Sequence, residues 1–177
     1  MRLISPLPPI PNIKNPMIGS NFALLQRDIL ALLFTQMLTR FEEGTDADGI
    51  KWEKLKRDQF RRRDKKIRNP SKKGQIKILQ DDGTLRQSWT QEGAEGNEVI
   101  QTSSEVGIGS NVEYVRTHNE GLTLQHPGTD NGFGMGIEIA PYKIQMPKRQ
   151  MTGYSLRDEK EIQELIDSHL QDAGGFE

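Results

Sequence analysis

The sequence predicts an α+β fold: a long N-terminal helix and a C-terminal helix packed on a small, mostly antiparallel sheet, with a long basic loop and a Pro-rich N-terminal arm. Three observations carry this. Apolar residues recur at spacings of three and four over residues 21–43 and again over 155–170. A pair of short apolar runs, Val99–Thr102 and Val106–Gly109, flanks the turn Ser103-Ser104-Glu105. A strongly cationic stretch without helical periodicity separates the first helix from the strands. The organisation that follows is an extended arm at 1–19, one α+β domain at 20–170 with a basic excursion at 51–77 and a loop at 122–134, and a tail at 171–177.

The arm holds five of the nine prolines, interspersed with Leu3, Ile4, Leu7, Ile10, Ile13 and Ile18. Proline fixes φ and removes a donor, so the arm is neither helix nor central strand. An apolar arm is expected to lie extended over its own domain or a neighbouring subunit, or to remain a partly disordered tail. In the first helix Ser20 or Asn21 supplies the cap. Phe22, Leu25, Ile29, Leu33, Met37 and Phe41 form its apolar stripe. Leu24, Leu30, Leu32, Phe34 and Leu38 widen that stripe, so the helix is expected to be buried on more than one side. Gly44 stops it.

Downstream, Ile76 and Ile78 alternate with polar residues as a short strand. Asp82-Gly83 turns the chain into a short helix carrying Leu85 and Trp89, capped by Asp82 or Thr84. The hairpin follows, then a short helix over Val112–Asn119 that ends at Gly121. Residues 122–134 read as loop, and 135–146 alternate in part, broken at Pro141. Ser155 and Asp158 stand in capping-box register before the closing helix. Its apolar face is Leu156, Ile162, Leu165, Ile166 and Leu170, and Gly174-Gly175 ends it.

Composition narrows the function classes. The chain has 177 residues, of which 33% are hydrophobic and 28% charged. That is a small core for this length and suits a subunit that completes its burial against partners better than an enzyme with a deep pocket. There is no cysteine, which excludes disulfides, thiol nucleophiles and Cys-based zinc sites. No apolar run approaches the roughly 18 residues that cross a bilayer, and prolines interrupt any signal-peptide core. The expectation is a protein made in the cytoplasm with no membrane partner.

The net charge of −1 conceals an asymmetry. Residues 51–77 carry thirteen Lys or Arg against three acids, and the remainder is acidic by eleven. Arg61, Arg62, Arg63, Lys65 and Lys66 are nearly consecutive. Such a run neutralises phosphates, with Trp52 or Phe60 available to stack on bases. It serves equally well to bind an acidic protein surface, including another copy of this chain, or to remain solvated.

Catalytic patterns are absent. His118 and His126, with Glu120 and Asp130 nearby, match no metal-ligand spacing. His169 suits a helix C-terminus. Gly132-Phe133-Gly134-Met135-Gly136 lacks the Lys and Ser/Thr of a phosphate loop. The acid pairs Glu42-Glu43 and Asp81-Asp82 sit at element ends as solvated caps, and Ser88, Ser103 and Ser104 lack a nucleophile context. No catalytic residue, cofactor or metal is assigned.

Four stretches, in order, carry a resemblance. They are Phe41-Glu42-Glu43-Gly44 leading to Asp48-Gly49-Ile50-Lys51-Trp52 and Leu55; Asp81-Asp82-Gly83-Thr84-Leu85-Arg86-Gln87-Ser88; Val106-Gly107-Ile108-Gly109-Ser110-Asn111-Val112-Glu113-Tyr114 continuing to Gly121; and Met146-Pro147-Lys148-Arg149 before the closing helix. Together they resemble the phage virion morphogenesis family of tail-completion and head–tail joining proteins, over residues 20–170. Val115 departs from the usual Ala, Gln150-Met151-Thr152-Gly153 from an apolar stretch, and 122–145 is longer than the common connection. The resemblance marks Phe41, Gly49, Trp52, Gly83, Leu85, Ser88, Asn111, Tyr114, Gly121, Pro147 and Arg149 as motif positions. On the bland reading the glycines permit turns while Trp52, Leu85 and Tyr114 fill the core.

The resemblance implies a non-enzymatic virion protein of a tailed phage or prophage, assembled in the host cytoplasm. It implies a six-fold homo-oligomeric ring in the neck, with tail tube or tail terminator and head connector proteins as partners and DNA close by. A nucleic-acid-binding protein using residues 51–77 is the alternative.

Overall fold

A computed structural model describes residues 3–6, 20–54, 77–80, 82–103, 105–132 and 137–172. Its elements in chain order are β1 (Leu3–Pro6), α1 (Ser20–Glu43), α2 (Thr84–Thr90), β2 (Asn97–Gln101), β3 (Val106–Ser110), α3 (Val115–Glu120), β4 (Thr123–His126), β5 (Thr129–Gly132), β6 (Ile137–Ile139), β7 (Tyr142–Gln145) and α4 (Leu156–Asp172). The α+β class holds, with three small antiparallel sheets instead of one.

α1 is the spine. Leu25, Ile29, Leu33, Met37 and Phe41 are buried along it, and α2, α4 and β3 all pack against it. The wide stripe is used on more than one side because sheet and helices share it. By length and composition Phe22–Glu43 would suffice to cross a bilayer, which corrects the reading that no such run exists. In this fold the helix is the core of the domain and also buries Gln26, Gln36 and Arg40.

The main sheet has the order β1-β3-β2. β3 is central and buried throughout, as its Val-Gly-Ile-Gly-Ser sequence demands: small residues on one face let structure approach, and Val106 and Ile108 fill the core. The Thr102–Glu105 turn closes the expected hairpin, with the Thr102 N–H donating to Glu105 O at 2.8 Å. β1 is an edge strand, where a terminal proline is tolerated.

α2 begins where Gly83 adopts φ 93° and the Asp82 carboxylate accepts the Thr84 N–H at 3.0 Å. α4 begins with a reciprocal capping box: Asp158 N–H donates to Ser155 Oγ at 3.1 Å, and Ser155 N–H to Asp158 Oδ2 at 2.8 Å. Ile162 and Ile166 face the core.

Several expectations are corrected. Of the short strand expected at Ile76 and Ile78, Ile76 lies outside the described residues and Ile78 stands in a turn with Leu79, which has φ 61°. Both side chains pack against the core from that turn, so their apolar character reflects packing and not a pleat. The short helix expected from Val112 begins at Val115, because Val112 is held in a turn whose carbonyl accepts the Val115 N–H. The loop at 122–134 contains β4 and β5, whose partners lie in 137–145. Leu156 is 85% exposed and leaves the apolar face of α4. It precedes Ile162 by six residues, about 240° around the helix. Residues 7–19, most of the basic excursion including Arg61, Arg62, Arg63, Lys65 and Lys66, the glycine-rich 133–136, Asp81 and Gly174-Gly175 lie outside the described residues.

Candidate functional site

The motif positions converge on two places. The first lies at the C-terminal end of α1. Asp46 Oδ1 accepts the N–H groups of Asp48 and Ile50, closing a turn in which Gly49 has φ 80°. That turn folds Trp52 back onto Phe41, with ring centroids 5.5 Å apart and edge to face. The Trp52 indole N–H donates to Gln150 O at 3.1 Å. Next to it the Arg149 guanidinium donates twice to Glu53 O, at 3.2 and 3.1 Å, while its backbone N–H donates to His118 O at 2.8 Å. Pro147 is half-buried ahead of it.

Gly121 terminates α3 in the left-handed region at φ 71°. A Cβ there would stand 2.9 Å from the Lys148 backbone nitrogen, so no other residue fits without displacing the chain. Asn119 joins α3 to the segment before α4. Its Oδ1 accepts the Met151 N–H at 2.8 Å and the Thr152 N–H and hydroxyl at 3.2 Å each. Met151 is fully buried, so the apolar character of that stretch is kept at one position despite the sequence departure. Arg40, on the last turn of α1, donates to Met151 O and Gly153 O, both at 2.9 Å, and to Asp158 Oδ2 at 2.7 Å.

The second place is the seam between α2 and β3. The hydroxyls of Ser88 and Ser110 are both fully buried and 2.8 Å apart. Ser88 donates to Leu85 O, so Ser110 donates to Ser88 and accepts the Val112 N–H. Every proton in this chain has one acceptor, which satisfies both hydroxyls without water. Asn111 Nδ2 donates to Glu98 at the surface. Tyr114, expected in the core with Trp52 and Leu85, is instead half-exposed; burial first, and then Asp82 and Glu95, raise its phenol above the ordinary tyrosine range and keep it neutral. Its ring meets His118 edge-on.

The serines face each other and backbone, with no histidine in reach of either in their hydrogen-bond set. Among the described residues no group of three or more His, Asp or Glu is placed to hold a metal. His118 and His126 separate: the carbonyl of the first accepts the Arg149 N–H, and the second stacks on Tyr142 at 4.7 Å. His169 pairs with Asp28 at 3.0 Å. An open recess of about 190 Å³ beside Trp52 is lined by Asp46, Ile50, Lys51, Lys148 and Gln150.

Both places lock loops onto the core, and what they lock is a surface. From Gly121 and Met146 the chain leaves as the β4–β7 ribbon, where Leu122, Leu124, Tyr142 and Ile144 are all exposed. The sequence shows Tyr142 and Ile144 alternating with polar neighbours but not that 123–126 is their partner strand, because the paired residues are 16 to 22 positions apart. Arg40 and Asn119 were missed as anchors; the signal for the first was a lone Arg inside an apolar helix stripe.

Comparison with known proteins gives one family. The model described as the phage virion morphogenesis family matches residues 13–171. No curated protein and no solved structure matches the chain.

Proposed function

The chain belongs to the phage virion morphogenesis family, and on that premise we propose that it is a neck or tail-completion subunit that forms a ring at the head–tail junction and joins tail to head. Membership gives a structural or assembly role in a phage virion. The observation that supports the finer reading is the β4–β7 ribbon. Two strands alone do not hold in water, and this pair exposes an apolar face instead of packing it on the domain. A subunit whose surface is completed by neighbours leaves such a face. In this reading the partners are other copies of the chain, in six-fold symmetry, together with tail tube or tail terminator and head connector proteins, and DNA passes nearby.

The test is the solution mass of the purified protein by light scattering, with and without isolated tails. A ring, or a monomer that becomes a ring on tails, supports the reading. A monomer indifferent to tails overturns it.

The cationic run Arg61, Arg62, Arg63, Lys65 and Lys66 supports a second reading, binding to nucleic acid. It calls for affinity that falls steeply with salt and weakens on charge reversal of those residues. Absence of binding to duplex or single-stranded DNA at low salt excludes it.

A further inference from the structure

We propose that the apolar face of the β4–β7 ribbon is the docking site for residues 7–19 of a second copy of this chain. The proposal deepens the ring reading above and rests on its self-assembly.

The register defines the face. Leu124 pairs with Ile144 and His126 with Tyr142, while Thr123 pairs with Gln145 and Gln125 with Lys143. Cross-strand partners share a side and successive residues alternate. One face therefore carries Leu124, Ile144, His126 and Tyr142, and the other carries only polar side chains. The stacked His126 and Tyr142 rings, at 14° between planes, and the hydrogen bond from Thr123 to Gln145 confirm the two sides. Leu124, Ile144 and Tyr142 are 42, 40 and 45% exposed. The ribbon makes no extended contact with any helix or with the three-stranded sheet.

The occupant is argued from chemistry and from reach. Residues 7–19 contain Leu7, Ile10, Ile13, Met17 and Ile18 among four prolines, with Lys14 as the only charge. Such a segment has few backbone donors to add to a sheet edge, and proline-rich chain docks instead on exposed aromatic rings. The segment is tied at both ends. Pro6 pairs with Gly107, and Ser20 begins α1. Both ties lie near the N-terminal end of α1, because Gln26 bonds to Gln101 and Thr102 beside that end of the hairpin. Thirteen residues tied at both ends reach about 20 Å outward. The base of the ribbon, at Gly121 and Lys148, lies instead by Trp52 and Phe41 at the far end of α1. Ser20 to Phe41 spans about 30 Å of helix, and Gln26, at the level of the Pro6 tie, to Phe41 about 22 Å. A chain's own segment falls short of its own ribbon, whereas a neighbour set head to tail can present one to it. Such a contact is heterologous, the kind that closes into a ring.

The absence of cysteine makes disulfide trapping a clean test. Single variants Ile10→Cys and Ile144→Cys are mixed and oxidised, with Ile10→Cys plus Thr123→Cys on the polar face as control. The expected product is a linked pair containing one chain of each kind, lost with the control. The double variant Ile10→Cys/Ile144→Cys is expected to give a ladder of linked chains. Closure of that double variant within one chain overturns the proposal, as does preferential linking of Ile144→Cys to itself. Assembly by mass without any link overturns it too and leaves the ring reading standing. A linked pair from a chain that never enters virions upholds the contact and removes the virion role. As a second measurement, Leu124→Ser/Ile144→Ser changes exposed residues only, so helix content is retained while assembly is lost; unchanged assembly counts against the contact.

Discussion

Arg40 Nη2 lies 2.7 Å from Asp158 Oδ2, and that same carboxylate oxygen accepts the Ser155 N–H that caps α4. One buried ion pair thus fixes the end of the first helix to the start of the last. Both side chains are close to fully buried, so desolvation offsets much of their attraction. Their value lies in being paired. Arg40→Met is expected to cost about 3–5 kcal/mol, because it leaves a buried carboxylate without its cation. Arg40→Met/Asp158→Leu should cost less than the sum of the two single changes, since it leaves no unpaired buried charge while still losing the α4 cap and the Arg40 bonds to Met151 O and Gly153 O. Urea unfolding of the three variants checks this, and a double variant as unstable as the sum of the singles would disprove it.

Trp52→Phe is expected to cost about 1 kcal/mol, from the lost indole bond to Gln150 O. Trp52→Ala removes the ring on Phe41 as well and should cost about 3–5 kcal/mol. Thermal melts rank the two.

Gly121→Ala places a Cβ against the Lys148 backbone in a left-handed conformation. It should destabilise by more than about 1 kcal/mol. Because Gly121 carries the base of the ribbon, amide exchange in 122–126 and 142–146 should accelerate more than exchange in α1. Uniform acceleration would count against this assignment.

His118 gives a pH dependence with a defined sign. Burial first, and then the nearby Arg149 charge, lower its pKa below the ordinary 6.5. Its buried Nδ1 has no hydrogen-bond partner among the described residues. The folded state therefore prefers the neutral ring. The associated stability is fully present above pH 6.5 and is lost as pH falls from there through the lowered folded value. Melting temperature should drop between pH 7.5 and 5, and more steeply than in His118→Gln at equal salt. Parallel curves would show that other groups dominate.

Local chemistry made much of the fold legible. The stripe of α1 repeats along a single helix, and the Asp82-Gly83 start of α2, the hairpin turn, the Gly121 stop and the Ser155–Asp158 box each reside within a few residues. Each depends on periodicity or capping, which sequence displays directly. The ordered motifs also made the family legible, and the match over 13–171 agrees with it. What only the tertiary structure decided is which distant groups meet. Arg40 and Asp158 are 118 residues apart, and Asn119 finds Met151 and Thr152 across 32 and 33. Nothing local to either partner encodes such a meeting. The β4–β7 ribbon was hidden for a related reason. The alternation of Tyr142-Lys143-Ile144-Gln145 is visible in sequence, but its pairing with Thr123–His126 is set by backbone hydrogen bonds that carry no side-chain signature.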